Sequence, residues 1–425
     1  MSDAYYIAAI DVHKQMLAVV VTDVKAGEMV FQRRRFGTLS SQLAELAGWF
    51  QELGVKQAVM ESTAEYWRPV WATLEGQCEL HLAQAHSNKA RRGRKSDFRD
   101  AERLAHRFVA NELILSFVPG PEQRGWRLMA RSRYRLVRER ARIQNHVEGL
   151  LEDAQIKLSS VISNLFGVSG RRILEALAET GGESLDTAKL AALGDENLRC
   201  GKQELQDALN GHWLPMHRDV LRMHMDRVKM LDQQIEDLFI RMGNAVKAHE
   251  DAVIRLSAVP GLGPDSAIQV IAEIGPMAAT FDSPEQLASW VGVCPGQQES
   301  AGKSSSERSA KGNKQMRRLL DQAAQSAVKK QGSYFQGLHR RLLPRLGKQK
   351  SIWAVAHRLC RLIWKILHQG VSYIEQGTLT TDPKILKRRQ QRLSREFRKL
   401  GFQVTFTPIA VPDAGSSVAN VPLRA

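Results

Sequence analysis

Cysteine is scarce in this chain, which has 4 in 425 residues. Cys78, Cys200, Cys294 and Cys360 lie far apart, form no CxxC pair and have no histidine at zinc-ligand spacing. This scarcity argues against a disulfide framework or a zinc finger and predicts buried free thiols in a reducing compartment. Long apolar runs are also missing, since no stretch approaches the roughly 18 apolar residues of a membrane-spanning helix. Because the first residues, MSDAYY, also lack a signal-peptide layout, we expect a cytoplasmic protein.

Acidic residues are fewer than basic ones, 45 against 61, which gives a net charge of +16 and a pI near 9.9. Such an excess indicates a polyanionic partner, with nucleic acid as the first candidate and a membrane surface as the alternative. The excess is local. Residues 89–143 contain 16 basic and 6 acidic residues, and 384–399 contain 8 and one, whereas residues 1–88 are slightly acidic.

Four acidic residues stand where a metal site is expected. Asp11 ends the apolar run YYIAAI, and Glu61 ends the apolar run QAVM. Asp97 and Asp100 are three apart at the start of a helical pattern, so they share one face of that helix. Carboxylates brought together repel one another unless divalent cations lie between them, as in two-metal phosphoryl-transfer sites. Each could instead be a surface charge, and Asp97 a helix cap; we interpret the nearby His13 as structural or supporting.

The order of elements in the N-terminal third predicts the fold of this site. Three strand patterns are followed by a helix, a strand, a helix and a strand, which is the order of a ribonuclease H-like (RuvC-like) α/β domain. In that fold the first and fourth strands are adjacent at the centre. We therefore expect Asp11 beside Glu61, with the next helix bringing in Asp97 and Asp100.

Two long helical patterns follow. The first, over 124–157, has an arginine stripe on one side that suits phosphate contacts: Arg127, Arg131, Arg135, Arg138 and Arg142. The second has heptad-like apolar spacing from Leu221 to Met242, so we expect the two helices to form a coiled-coil arm. Small helices with Gly-rich turns are predicted over 158–215.

A mostly α-helical domain is predicted beyond residue 249. It opens with LSAVPGLGPDSAIQVIAEIG, where Gly261 and Gly263 lie between two helical patterns, as in a helix-hairpin-helix whose backbone N–H groups contact phosphates. An ordinary turn between helices is the alternative. A loop rich in Ser, Gly and Lys follows, containing Ser300 and Lys303. From the residues alone Ser300 is an ordinary loop serine, because no Ser-His-Asp spacing accompanies it.

Several segments together resemble one family, the insertion sequence 110 transposases, also described as bridge-RNA-guided recombinases. The N-terminal segments are IDVHK, MES and KSDFRDAERLA, and the C-terminal ones are VPGLGPDSA, FDSPEQLASWVGVCPGQQESAGK and KGNKQMRRLL. They occur in the family's order and cover nearly all of the chain up to about residue 376. The first set resembles the four acidic positions of its RuvC-like DEDD domain, and the second its serine-bearing transposase domain.

The resemblance implies a division of labour between the two domains. Ser300 would attack a DNA phosphodiester and form a phosphoserine link, while Asp11, Glu61, Asp97 and Asp100 would hold Mg²⁺. A structured noncoding guide RNA would choose donor and target DNA by base pairing, with the protein reading mainly backbone shape. The active sites would form between protomers of a dimer or tetramer in a prokaryotic cytoplasm.

These inferences define four segments: a DEDD domain at 1–115, a helical coiled-coil region at 116–248, a serine transposase domain at 249–376 and a basic, partly disordered tail at 377–425. Two other functions remain open. One is a RuvC-like metal-dependent nuclease or junction resolvase that uses the carboxylates and water alone. The other is a nucleic-acid-binding protein without catalysis.

Overall fold

The computed structural model divides the chain into two compact units, residues 1–124 and 125–425. The residues that it describes are 5–25, 29–62, 64–84, 88, 96–180, 185–196, 198–296, 298–300, 303–306, 309, 311–375, 377 and scattered positions between 387 and 405. The predicted tail at 377–425 therefore lies largely outside the described residues.

The first unit is a mixed α/β domain. Its described strands are β1 (Tyr6–Val12), β2 (Met16–Asp23), β3 (Gln32–Gly37), β4 (Gln57–Ser62), β5 (Glu79–Ala83) and β6 (Leu115–Ser116). Its helices are α1 (Ser40–Leu53), α2 (Trp67–Leu74) and α3 (Asp97–Val109), and it includes the first residues of α4 (Pro121–Asp153).

One sheet holds all six strands in the order β3-β2-β1-β4-β5-β6. The first three strands form an antiparallel meander, β1 pairs with β4 in parallel, and β4 pairs with β5 in parallel. The predicted adjacency of the first and fourth strands is therefore confirmed, as is the order of strands and helices from β1 to β5. The short strand β6, antiparallel to β5, was not predicted, because two residues carry no periodic signal.

Apolar layers cover both faces of this sheet. Successive strand residues point to opposite faces, so each strand contributes to both layers. On one face Ile10 is buried with Leu46 of α1 and Leu74 of α2. On the other face Ala9 is buried with Leu104 of α3. The packing of α3 on this second face decides where its acidic first turn lies.

The second unit is mostly helical. Besides most of α4, its described helices are α5 (Leu158–Val161), α6 (Val168–Glu179), α7 (Thr187–Ala192), α8 (Lys202–Ala208), α9 (Pro215–Ala245), α10 (Glu250–Ser257), α11 (Pro264–Ile274), α12 (Pro284–Val291), α13 (Lys314–Ala327) and α14 (Tyr334–His368). A two-stranded antiparallel hairpin, β7 (Gln298–Ser300) and β8 (Lys303–Ser306), lies between α12 and α13. The prediction of small helices over 158–215 is confirmed.

The two long helices α4 and α9 contact each other. Ile143 of α4 is buried in one cluster with Val228 and Leu231 of α9. Arg140 of α4 also donates a hydrogen bond of 2.7 Å to Asp232 of α9. The heptad-like spacing of α9 thus marks its buried face correctly, while a coiled-coil arm remains a prediction.

The structure also bears on three further predictions. The loop predicted around Ser300 contains the β7–β8 hairpin, because its polar residues give no apolar period from which a strand could be predicted. All four cysteines are free thiols, as predicted, but only Cys360 is buried and the other three are half-buried. Within the part of the chain that the structure describes, every helix is too short or too polar to cross a bilayer.

Candidate active site

Asp11 and Glu61 lie side by side at the ends of the two central parallel strands. They are directly paired in the β1–β4 register. Ala9 and Val59, two positions earlier on each strand, are buried in the layer beneath α3. Because side chains alternate along a strand, Asp11 and Glu61 point to that same face. Asp11 and Glu61 therefore place their carboxylates where this apolar layer reaches solvent. Both residues are half-buried.

The first turn of α3 supplies the other two carboxylates. Asp97 begins the helix and Asp100 lies one turn further on, which places both on one side. Acidic residues in a first turn are favoured by the helix dipole. Buried Ala101 and Leu104 hold α3 on the sheet, so the helix position is set by apolar packing.

His13 connects the strand acid to the helix acid. Its Nε2 lies 3.1 Å from Asp11 Oδ2 and 3.7 Å from Asp97 Oδ1. One potential ligand atom from each of these three residues lies within 4.8 Å of the others, so the trio could hold a metal ion. The sequence had indicated only a supporting role for this histidine.

The electrostatics of Asp11 are those of a carboxylate without enough positive charge around it. Burial raises the pKa of Asp11 above its ordinary value. The charge and hydrogen bond of His13 lower this pKa, but the neighbouring carboxylates of Asp100 and Asp97 raise it further. The charged form is therefore disfavoured, and a cation placed among these oxygens would favour it.

The remaining partners hold single carboxylates in place. Arg103 donates a 2.6 Å hydrogen bond to Asp100, and Arg35 Nη2 lies 4.0 Å from Asp97 Oδ2. Asn88 is buried, and its side-chain amide donates a hydrogen bond to Glu61 Oε2. The other amide atom of Asn88, Oδ1, is buried without a partner among the described residues.

The donor set fits a hard divalent cation. Carboxylate oxygens are the ligands that Mg²⁺ prefers, and three of the four acids lie close enough for their charges to interact. The raised pKa of Asp11 shows that the charge of His13 does not offset burial and the neighbouring carboxylates, and Asn88 Oδ1 is a buried acceptor without a partner among the described residues. Asp11, Asp97 and Asp100 are therefore brought together as the sequence predicted, with Glu61 beside Asp11.

Two arginines of the predicted stripe are engaged inside the second unit. Glu273 on α11, only 2% exposed, accepts hydrogen bonds of 2.9 Å from both Arg131 Nε and Arg131 Nη2. Arg127 Nε lies 3.5 Å from the same carboxylate, and Asn313 also donates to it. These contacts tie α4, α11 and α13 together.

The other three arginines of that stripe, Arg135, Arg138 and Arg142, are exposed. They therefore retain the accessibility that phosphate contacts need. The spacing alone could not distinguish them from Arg127 and Arg131, because Glu273 lies more than 140 positions along the chain from Arg131.

Gly261 and Gly263 lie in the turn between α10 and α11. Gly261 has φ of +89°, and a Cβ there would lie 2.2 Å from the Ala323 carbonyl oxygen of α13. Close packing on α13 therefore requires glycine at 261, whereas Gly263 is the N-cap of α11 with open space around it. A phosphate-binding role for this turn stays a prediction.

Ser300 and Lys303 belong to the second unit, where they are backbone partners at the closed end of the β7–β8 hairpin. Their side chains lie outside the described part of the structure.

Two residues were missed or undervalued by sequence reasoning. His13 stands two positions after Asp11, a spacing that turns its side chain to the same face and that could have indicated it. Asn88 gives no such signal, because it lies outside any periodic segment and 27 positions from Glu61.

Comparisons with known proteins identify the family to which this chain is similar. A DEDD transposase family model of the IS110 type matches residues 8–156, and one described as the transposase IS116/IS110/IS902 family matches residues 254–340. A probable family 20 transposase of Pseudomonas aeruginosa is 28% identical over 345 residues, covering 78% of this chain and 89% of the relative. The transposase for insertion sequence element IS1111A of Coxiella burnetii is 23% identical, covering 86% of this chain and 91% of the relative. With both family models matched in order, this chain belongs to the IS110 family of transposases.

Proposed function

We propose that this chain is an RNA-guided DNA transposase, or recombinase, that cuts and rejoins the donor and target DNA of an insertion sequence. The observation that carries the proposal is the meeting of strand acids Asp11 and Glu61 with helix acids Asp97 and Asp100. The relatives named as transposases support the DNA substrate, and the net charge of +16 supports a polyanionic partner.

The first unit is proposed to be a ribonuclease H-like, RuvC-like domain. The central parallel pair flanked by an antiparallel meander supports this assignment, as does the DEDD family match. We keep the proposed segments 1–115, 116–248, 249–376 and 377–425 for the DEDD domain, coiled-coil region, serine domain and basic tail. The turn at Gly261 and Gly263 is proposed as a helix-hairpin-helix contact to nucleic acid, together with Lys303 and the five arginines of the α4 stripe.

Asp11, Glu61, Asp97 and Asp100 would hold Mg²⁺, with His13 close enough to join or position them. The bound cation would supply charge stabilisation to the phosphate under attack. The carboxylates would determine where a phosphate lies in the site. Asn88 would orient Glu61 through its hydrogen bond.

Ser300 is proposed as the nucleophile. Its Oγ would form a bond to phosphorus as the phosphodiester bond to one sugar oxygen breaks. The serine proton leaves to a base, and the departing sugar oxygen takes up a proton to become a hydroxyl. The phosphoserine ester keeps the number of phosphate ester bonds constant, so a second sugar hydroxyl can reverse the step and rejoin DNA without an added energy source.

A structured guide RNA and a dimer or tetramer complete the proposal. The contact between α4 and α9 within one chain supports a helical arm, and we propose that protomers associate through that arm.

A covalent-adduct experiment tests this function. The protein is incubated with Mg²⁺, guide RNA and labelled donor DNA, then denatured and resolved by electrophoresis. We expect a labelled protein–DNA adduct that is lost in Ser300→Ala and retained in the neighbouring Ser304→Ala. Cleavage with no adduct, unchanged in Ser300→Ala, would favour the metal-dependent nuclease or resolvase. No cleavage by wild type, with nucleic-acid binding unaffected by Asp11→Ala, would favour the non-catalytic binding protein.

A further inference from the structure

A cavity of about 770 Å³ lies in the second unit between α4, α9, α11 and α13, with α6 contributing Arg171. Its volume falls in the range of ligand-binding clefts. Exposed residues such as Lys229, Gln233 and Gln322 line it, so it opens to solvent. Its lining residues include none of the four carboxylates and not Ser300, and the proposed function assigns it no role.

Positive charge exceeds negative charge in the lining. Five lining residues are basic and three are acidic, which leaves an excess of two positive charges. The basic residues are Arg133, Arg140, Arg171, Lys229 and Arg318, and the acidic ones are Asp232, Glu236 and Asp265.

Two of the three acids, Asp265 and Asp232, already pair with neighbouring arginines. Arg133 donates a 2.8 Å hydrogen bond to Asp265. Arg140 and Arg171 both donate to Asp232, one to each carboxylate oxygen. Two guanidinium groups thus share a single carboxylate, so the three side chains together carry one net positive charge at the cavity wall.

Arg318 on α13 forms no ion pair with a described carboxylate, although the charges of Asp265 and Glu273 act on it from a longer distance. Its guanidinium lies 3.9 Å from the ring centroid of Tyr134 and donates hydrogen bonds to the amide oxygens of Gln269, at 2.8 Å, and Gln322, at 3.0 Å. No carboxylate among the described residues lies within ion-pair distance of it. Burial lowers the pKa of Arg318, and the opposing charges of Tyr134, Asp265 and Glu273 do not fully offset this effect. An anion entering the cavity would supply the missing counter-charge.

We propose that this cavity binds a backbone phosphate of a nucleic acid, with Arg318 as its central ligand and Arg140 and Arg171 beside it. Guanidinium groups match phosphate oxygens through paired hydrogen bonds, and they bind them without reading sequence. The guanidinium groups of Arg318 and Arg138 lie 3.9 and 6.0 Å from the Tyr134 ring centroid, and an unpaired base adjacent to the bound phosphate would compete with Arg138 for this ring. A nucleic acid is favoured over a small anion because the cavity is open to solvent and adjoins α4, whose exposed arginines Arg138 and Arg142 extend the positive surface.

Gln322→Glu is the sharpest test. The new carboxylate would stand one helical turn from Arg318, at a position whose present amide already accepts its hydrogen bond. It would give Arg318 a counter-ion, so the thermal midpoint should stay unchanged or rise. The same carboxylate would repel a phosphate, so affinity for nucleic acid should fall about tenfold. Gln325→Glu, the same change on α13 outside the cavity, is the matched control and should leave affinity unchanged.

Binding is measured by fluorescence anisotropy with labelled duplex DNA, single-stranded RNA and an RNA hairpin, without divalent metal so that no strand transfer occurs. A loss with all probes identifies the shared backbone phosphate, and a loss with RNA alone identifies RNA as the occupant; either supports the proposal. Arg318→Gln should also reduce the salt slope of log K by about one. Unchanged affinity in Gln322→Glu, or an equal loss in Gln325→Glu, would overturn it. Neither result bears on the carboxylate site.

Discussion

Asp11 in the acidic cluster of the first unit and two acids of the second unit, Asp232 and Glu273, have different electrostatic surroundings. Asp11 has carboxylate neighbours and one histidine, and its pKa is raised by burial and by those neighbours. Burial also raises the pKa of Asp232, but the hydrogen bonds and charges of Arg171 and Arg140 outweigh it, and its pKa lies below the ordinary value. Glu273, almost fully buried, is held by two arginines and an asparagine.

This difference in surrounding charge distinguishes carboxylates that stabilise the fold from carboxylates that favour the binding of a cation. In the second unit the chain supplies its own cations, so its carboxylates connect helices. In the first unit the chain brings acids together and leaves the positive charge incomplete, which is the condition under which an external cation binds. The predictions below test that separation.

The largest effect is expected for Asp11→Ala. It removes the acid at the centre of the cluster, so strand cleavage should fall about a thousandfold while the fold is retained. Cleavage of labelled DNA in the presence of Mg²⁺ and guide RNA measures this. Asp23→Ala, on the next strand of the same sheet, is the control. Wild-type rates in Asp11→Ala would remove the first unit from the chemistry.

Glu273→Gln should act on stability. It removes the buried carboxylate that Arg131 binds at 2.9 Å and that Arg127 approaches at 3.5 Å, so the free energy of unfolding should fall by about 3 kcal/mol. Urea denaturation followed by tryptophan fluorescence measures this. Glu285→Gln breaks an exposed pair with Arg361 and should cost under about 1 kcal/mol. Equal losses in the two variants would mean that burial does not distinguish these acids.

Asn88→Ala should weaken metal binding. The amide that orients Glu61 is lost, and groups that orient metal ligands typically contribute about tenfold or more to affinity. Isothermal titration with Mn²⁺ measures the dissociation constant. Gln77→Ala, an exposed amide in the same unit, should leave it unchanged. An unaltered constant in Asn88→Ala would show that Glu61 needs no such support.

Asp11→Asn should stabilise the metal-free protein by about 1 kcal/mol at neutral pH, or roughly 3 °C in thermal midpoint. The folded-state pKa of Asp11 lies above 3.8, so its contribution to stability is present below 3.8 and is lost as pH rises through the folded-state value. The advantage of asparagine should therefore be largest at neutral pH and shrink as pH falls. Thermal melts across that range, without metal, measure it. A constant advantage at every pH would contradict the assigned cause.

Much of the first unit could be predicted from sequence because its signals are local. Apolar runs marked β1 and β4, and the order of elements predicted that their ends would meet, which the register of Asp11 and Glu61 confirms. The helical spacing of Asp97 and Asp100 likewise placed both on the face of α3 that meets the sheet.

The contacts that could not be predicted from the sequence join residues that lie far apart in the chain. Neither the hydrogen bonds between Arg131 and Glu273 nor the hydrogen bond from Asn88 to Glu61 produces a periodic pattern in the sequence. The β7–β8 hairpin could not be predicted for a different reason. Its residues are polar, so they show no alternation of apolar and polar side chains. Ser300 was indicated by family resemblance alone.

The central claim is that the first unit's carboxylates form a divalent-cation site. Its most direct measurement is the thermal midpoint of wild type and Asp11→Asn during titration with Mg²⁺ or Mn²⁺. We predict a saturable rise for wild type, corresponding to about 2.7 kcal/mol at a metal concentration 100 times the dissociation constant, and little or no rise for Asp11→Asn. The same rise in both proteins, or none in wild type, would contradict the claim.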